Sequence, residues 1–184
     1  MAHSKEYLEE LKLLHSKKTF GLNKNVPTVV KKLIEEKNIK SFLDYGAGKG
    51  YTSDTLKTVY PNIQIHKFDP ATFPNPLPEK VELTYSSDVL EHIEPNLIDE
   101  TIRDLCNRTT RYQYHLIACH PAKKSLSDGR NAHLIIEKPK WWKRKIQAIS
   151  DWKIIHEDIM DHVAQPKKGP PINVVKYIVI LEKV

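Results

Sequence analysis

Leu8, Leu11 and Leu14, joined by Tyr7, recur at three- and four-residue spacing and predict an N-terminal helix over residues 4–18 with one apolar stripe. Val29, Val30, Leu33 and Ile34 form a second stripe, predicting a helix over about 27–37 with Pro27 suited to its first turn. The period then shortens. Residues 41–44 are an apolar strand running into an acid and glycines, a helix over about 52–59 stops before Pro61, and alternation over 63–68 predicts the next strand, which ends at Asp69 and Pro70. Pro70, Pro74, Pro76 and Pro78 forbid a regular helix or interior strand over 70–78, so this stretch is a surface loop.

A strand over 81–87, an acidic turn over 88–92 and a helix over 95–108 follow, the helix carrying Ile98, Ile102 and Leu105 on one face and Glu94, Asp99 and Glu100 near its positive end. Residues 112–119 give another strand, 120–133 are polar and turn-rich, and 140–149 form a basic helix bearing tryptophan. The last strands are 152–156 and 174–181, separated by the proline-containing stretch 165–171. Alternating strands and helices followed by a late strand pair predict an α/β fold, with a mostly parallel sheet and an antiparallel C-terminal edge strand.

With 184 residues, 40% hydrophobic and 28% charged, the chain suits a single domain over 1–184, in which 1–40 supply N-terminal covering helices. No stretch approaches a membrane span, and the charged start lacks the apolar segment of a secretory signal, so a cytoplasmic protein is expected. Cys106 and Cys119 suggest reduced thiols rather than a disulfide framework. The net charge of +6 favours anionic partners in general, with local lysine concentrations at 138–145 and 167–168.

The segment Asp44-Tyr45-Gly46-Ala47-Gly48-Lys49-Gly50 lies between a strand and a helix, where glycine lets the backbone turn sharply and approach a ligand. A nucleotide-type cofactor is the natural occupant. Tyr51 stands where the third glycine of a dinucleotide fingerprint belongs, and Lys49 precedes Gly50 rather than following a P-loop glycine. Asp69 closes the next strand about 20 residues on, where an acid accepts hydrogen bonds from ribose hydroxyls.

At these positions the sequence resembles the class I S-adenosylmethionine-dependent methyltransferase superfamily. Leu43 to Gly50 is similar to its first motif, Asp69 to its ribose-binding acid, and Asp88-Val89-Leu90-Glu91-His92-Ile93 to the segment after its fourth strand. The resemblance implies a Rossmann-like three-layer sandwich. It also implies that Asp44 orients the cofactor's ammonium group, that Gly46 to Gly50, with Gly46, Ala47, Gly48 and Gly50 as the named contacts, line its methionine portion, that Tyr45 is among the cofactor-binding residues, and that Asp88 lies near the sulfonium. One departure is visible, because the proline-rich loop stands where the family has a third strand, which is therefore shortened or absent. Adenine would then meet Pro70, Ala71 or Phe73, or groups around Ser86 and Ser87.

Methyl transfer needs alignment of acceptor, methyl and sulfur, and a base only where the acceptor proton is reluctant to leave. His92 and His133 are the candidate catalytic residues, and Asp128 and Arg130 the candidate acceptor-binding pair. His115, Cys119 and His120 lack paired-ligand spacing and alternate between strand faces, so no required metal is expected. The expected function is methylation of a small molecule at oxygen or nitrogen with S-adenosylmethionine, leaving S-adenosylhomocysteine. The alternatives are nucleic-acid methylation, to which Trp141, Trp142 and the neighbouring cations would contribute, a non-catalytic cofactor-binding protein, and a dehydrogenase.

Overall fold

A computed structural model describes residues 3–17, 21–149, 151–165 and 169–184. The end of the first predicted helix at Lys18, the lysine pair at 167–168 and part of the 165–171 connection lie outside the described residues. The chain runs α1 (Lys5–Ser16), α2 (Thr28–Glu36), β1 (Ser41–Tyr45), α3 (Tyr51–Val59), β2 (Gln64–Phe68), β3 (Val81–Ser87), a 3₁₀ turn (Leu90–His92), α4 (Ile98–Arg108), β4 (Thr109–Ala118), α5 (Pro139–Ile149), β5 (Lys153–Ala164) and β6 (Ile172–Glu182).

The strands form one sheet in the order β2-β1-β3-β4-β6-β5. The first four are mutually parallel, β6 runs antiparallel to β4, and β5 antiparallel to β6. The sheet is buried on both faces at its centre because adjacent β1 side chains point to opposite cores. Phe42 joins a core built with Val30, Leu33 and Leu56 of α2 and α3, whereas Leu43 joins one built with Ile102, Leu105, Trp142 and Ile146 of α4 and α5. This makes the α/β three-layer sandwich that the sequence predicts. No helix among the described residues is long and apolar enough to cross a membrane.

Between β2 and β3 there is no strand, only a single bridge of Asp69 to Phe73 in the proline-rich loop, so the expected loss of a third strand holds. Three boundaries differ from the sequence pattern by three residues or more. Residues 95–97 are a turn before α4 begins, β4 starts directly after α4 at Thr109, and β5 has 12 residues rather than the five predicted. An edge strand pairs on one side only and buries little, so the polar run through Glu157, Asp158, Asp161 and His162 conceals its period.

The first helix does not pack on the sheet. Its stripe of Tyr7, Leu11 and Leu14 meets Leu126 and Ala132 in a separate cluster, so α1 spans the top of the molecule against the 122–134 segment. Glu10 fastens that contact by accepting from the Ser127 backbone N–H at 2.7 Å and from the Ser127 hydroxyl.

Candidate functional site

Open parallel sheets bind ligands beyond the carboxyl ends of their strands. A cavity of about 460 Å³ opens there, walled by the loops after β1, β2, β3 and β4 and roofed by His3, Tyr7, Leu11 and His15 from the N-terminal segment. This is ample for a small-molecule site, for which roughly 300–1,000 Å³ is usual.

The glycine loop is shaped from within. Gly46 and Ala47 donate backbone N–H groups to the Phe68 carbonyl at 2.8 and 3.0 Å, tying the end of β1 to the end of β2. Gly46 has φ of +79° and stands so close to Val89 that a β-carbon there would lie 2.3 Å from Val89 Cγ2. Gly48 also has positive φ, and a β-carbon on it would meet the Gly21 backbone at 3.0 Å. Asp44, Tyr45, Gly46, Ala47 and Gly48 all line the cavity, whereas Gly50 turns away as the N-cap of α3, near Lys67 and Phe73.

Asp44 is 2% exposed and accepts from Ser53 Oγ at 2.6 Å. Burial pushes its carboxyl up to about 6, against the lowering effect of the Ser53 hydrogen bond. Tyr45 stacks on Phe68 with ring centroids 5.3 Å apart. Asp69, also buried, holds the loop as well as facing the cavity. Its Oδ2 accepts from Gly48 N–H at 3.0 Å, and its Oδ1 accepts from Ala71 N–H and Thr72 N–H at 2.9 and 3.1 Å. His15 Nε2 is 3.8 Å from the same carboxylate, and burial lowers the His15 pKa.

The adenine alternatives are narrowed by packing. Pro70 and Ser87 line the cavity, while Ser86 is fully buried against His115 Nδ1 at 2.8 Å, Ala71 packs under α1, and Phe73 lies beneath Lys67. Asp88 also lines the cavity, in the left-handed region with φ of +55°, and its carboxylate accepts from Lys176 Nζ at 2.7 and 2.8 Å. That ion pair from β6 has no sequence signal, because the partners are 88 residues apart.

His92 and His133 are brought together on the opposite wall, with ring centroids 4.8 Å apart and planes at 85°. Burial, reinforced by His133, pushes the His92 imidazole down to about 4; burial also lowers His133. Each ring is fixed through Nδ1, which donates to the Ala132 carbonyl from His92 at 2.7 Å and to the His120 carbonyl from His133 at 2.5 Å. Glu91 is fully buried behind them, accepts from Ala118 N–H at 3.1 Å, and has its pKa raised by burial, with the Asp88 charge adding. Glu91 was not singled out from sequence, though its place in the segment after β3 was the available signal.

Asp128 and Arg130 are not part of the wall. They sit at the exposed tip of the turn closed by Leu126 N–H to the Arg130 carbonyl, with the guanidinium Nε on Asp128 at 2.7 Å. The cavity mouth carries Lys123 and Lys124 instead, and Lys124 is lowered by desolvation and by the charges of Lys17 and Lys49. Trp142 is completely buried in the core under α5, so its ring is not presented for stacking on a base.

No family model matches the sequence, and no curated protein matches it. Solved structures do. A 1,6-didemethyltoxoflavin-N1-methyltransferase from Burkholderia thailandensis, crystallised with 1,6-didemethyltoxoflavin and S-adenosylhomocysteine, aligns over 100% of this chain and 91% of its own, with 11% identity and a TM-score of 0.62. TehB from Haemophilus influenzae aligns over 88% of this chain and 64% of its own, with 13% identity and a TM-score of 0.57. PigF, crystallised with S-adenosylhomocysteine, aligns over 95% of this chain and 62% of its own, with 13% identity and a TM-score of 0.57. The chain thus spans nearly all of the first and under two thirds of the other two. At such identities the likeness concerns architecture, and the chain has the Rossmann-like fold of the class I S-adenosylmethionine-dependent methyltransferases.

Proposed function

We propose that this protein is an S-adenosylmethionine-dependent methyltransferase acting on a small molecule. The observation that carries the reading is the placement of β6, antiparallel, between β4 and β5 at one end of an otherwise parallel sheet. A dinucleotide-binding sheet is built from two parallel mononucleotide halves and has no such insertion. The chemistry of the cavity agrees. Asp44 and Asp69 present carboxylates toward it, suited to an ammonium and to ribose hydroxyls, and the glycine loop leaves room for the methionine chain between them. Pro70 and Ser87 would flank adenine, and Asp88 would lie near the sulfonium. His92 and His133 then border the space where the methyl group meets its acceptor.

The roof that α1 lays over the cavity favours a compact acceptor, and the lysines at its mouth favour one with anionic character. The protein is expected to work in the cytoplasm. Nucleic acid remains the second acceptor class because of the net charge of +6.

Calorimetric titration tests the cofactor. S-adenosylmethionine and S-adenosylhomocysteine should bind and NADH should not; binding of NADH alone would reverse the reading. The pH dependence is a sharper check. Asp44 takes up its proton near pH 6 in the ligand-free protein, whereas an ammonium partner favours the ionised form. Binding therefore expels a proton below that pH, and affinity should be roughly tenfold weaker at pH 5 than at pH 7.5, from the unit-per-decade relation. Asp44→Asn should bind weakly and without this slope. A flat wild-type profile over the same range would separate Asp44 from the ammonium.

A further inference from the structure

We propose that Glu91, His92 and His133 form a binding site for a divalent first-row metal ion, and that this ion receives an acceptor oxygen at the far end of the cavity. One ring nitrogen from each histidine and one carboxylate oxygen of Glu91 lie within 4.8 Å of one another, with Glu91 buried and both imidazoles partly buried. A metal with bonds of about 2.0–2.2 Å would need only side-chain adjustments of an ångström or so to draw such donors in.

The orientation of the rings argues for ligation rather than proton relay. In both imidazoles Nδ1–H donates to a backbone carbonyl, which fixes the neutral tautomer with its lone pair on Nε2. Metal-ligating histidines are typically set by an outer hydrogen bond of this kind. His133 Nε2 faces Glu91 Oε1 at 4.0 Å, too far for the hydrogen bond of an acid–base dyad. Glu91 supplies a second, independent sign. Its Oε2 is buried with no hydrogen-bond partner among the described residues, a costly arrangement that a cation would relieve. Two imidazoles and one carboxylate suit first-row divalent ions better than magnesium or calcium, which prefer oxygen throughout.

The position of the site relative to the glycine loop gives the ion a task. His92 and His133 line the same cavity as Gly46 and Asp69, and the neighbouring Asp88 charge is already answered by Lys176. On the proposed methyltransferase reading, on which this part rests, a hydroxyl brought to the ion loses its proton to water more readily. Its oxygen lone pair forms the bond to the methyl carbon while the carbon–sulfur pair returns to sulfur, leaving neutral S-adenosylhomocysteine. The acceptor class is therefore a hydroxyl compound methylated at oxygen. This departs from the sequence-based expectation of no required metal, which weighed His115, Cys119 and His120. His115 is instead buried between Ser86 and Gln113.

Cobalt(II) is the probe, read by its visible absorption during titration of the purified protein, with calorimetry of S-adenosylmethionine alongside. Wild type should bind one ion, and His133→Ala should bind it at least ~100-fold more weakly, since even outer-shell losses cost about 10–100-fold. The His133 side chain is only 10% exposed and its ring holds the His120 carbonyl, so the variant should melt a few degrees lower, but it stands on the wall opposite the glycine loop and should keep its cofactor affinity. Glu91→Gln should lose the ion likewise; if it fails to fold, His133→Ala decides alone. An unchanged cobalt spectrum in His133→Ala, or no cobalt binding by wild type, would overturn the site. Cobalt binding without S-adenosylmethionine binding would uphold the site and sink the cofactor reading, and the reverse pattern would sink the site alone.

Discussion

Gly46→Ala should lower stability by about 3 kcal/mol and abolish measurable S-adenosylmethionine binding. Two costs combine. A residue with a β-carbon pays about 1–2 kcal/mol in the left-handed region, and Gly46 has φ of +79°. Overpacking adds about 1–3 kcal/mol, and here the new carbon would lie 2.3 and 2.7 Å from the two Val89 methyls. For a chain of this size the sum corresponds to a melting temperature roughly 10 °C lower. Val89 precedes the 3₁₀ turn and follows Asp88, so its displacement would also disturb the opposite wall. Val89→Ala in the same chain should recover about half of the loss by removing the clash but not the strained φ. A single Gly46→Ala variant that melts and binds like wild type would contradict the close approach of the two loops.

The glycine loop was legible because its chemistry is local. Strand, loop, helix and the acid at Asp69 fall within 29 consecutive residues from Ser41, and the ring of Tyr51 argues against dinucleotide packing. The proline-rich loop was legible for a similar reason, since proline constrains its own backbone whatever surrounds it. Elements whose pattern depends on neighbours were harder. The long β5 is polar because it is an edge, and the connection between α1 and α2 could not reveal that Gly21 would touch Gly48.

The opposite wall shows where sequence spacing stops informing. His92 and His133 were singled out separately as ring nitrogens near strand ends, but their contact depends on the 120–133 segment folding back, with His133 N–H on Asn131 and Ala132 N–H on the Lys124 carbonyl. Glu91 reads as part of an acidic turn, yet it is fully buried. Asp128 and Arg130 misled in the other direction. A guanidinium near a carboxylate in a polar turn reads as a grip for an anion, but a pair two residues apart satisfies itself at the surface. An apolar stripe alone suits α1 to scaffold and to cover equally. The contacts of Tyr7 with the His92 carbonyl and of Glu10 with Ser127 make it a roof fastened at two points of its N-terminal half.

Asp69→Ala should weaken S-adenosylmethionine binding more than ~100-fold and lower stability by about 3 kcal/mol, with the two effects arising from different hydrogen bonds. The carboxylate accepts from three backbone N–H groups, of Gly48, Ala71 and Thr72, and leaving such donors unsatisfied costs about 1–3 kcal/mol each where water cannot replace the partner. The variant alone therefore does not separate a ribose contact from a collapsed loop. A comparison of S-adenosylhomocysteine with its 2′-deoxy analogue does. If Asp69 grips the ribose, wild type should prefer the parent compound by about 10- to 100-fold, the worth of a hydrogen bond to a charged group. Asp69→Asn conserves shape and keeps an oxygen for Ala71 and Thr72, but turns its NH₂ toward Gly48 N–H or toward the ligand. It should fold, melt a few degrees lower, and lose most of that preference. The preference is a ratio within one protein, so general loosening of the loop largely cancels from it. If Asp69→Asn discriminates between the two compounds as strongly as wild type, Asp69 serves only to fasten the glycine loop, and the ribose must be held by another group on the cavity wall.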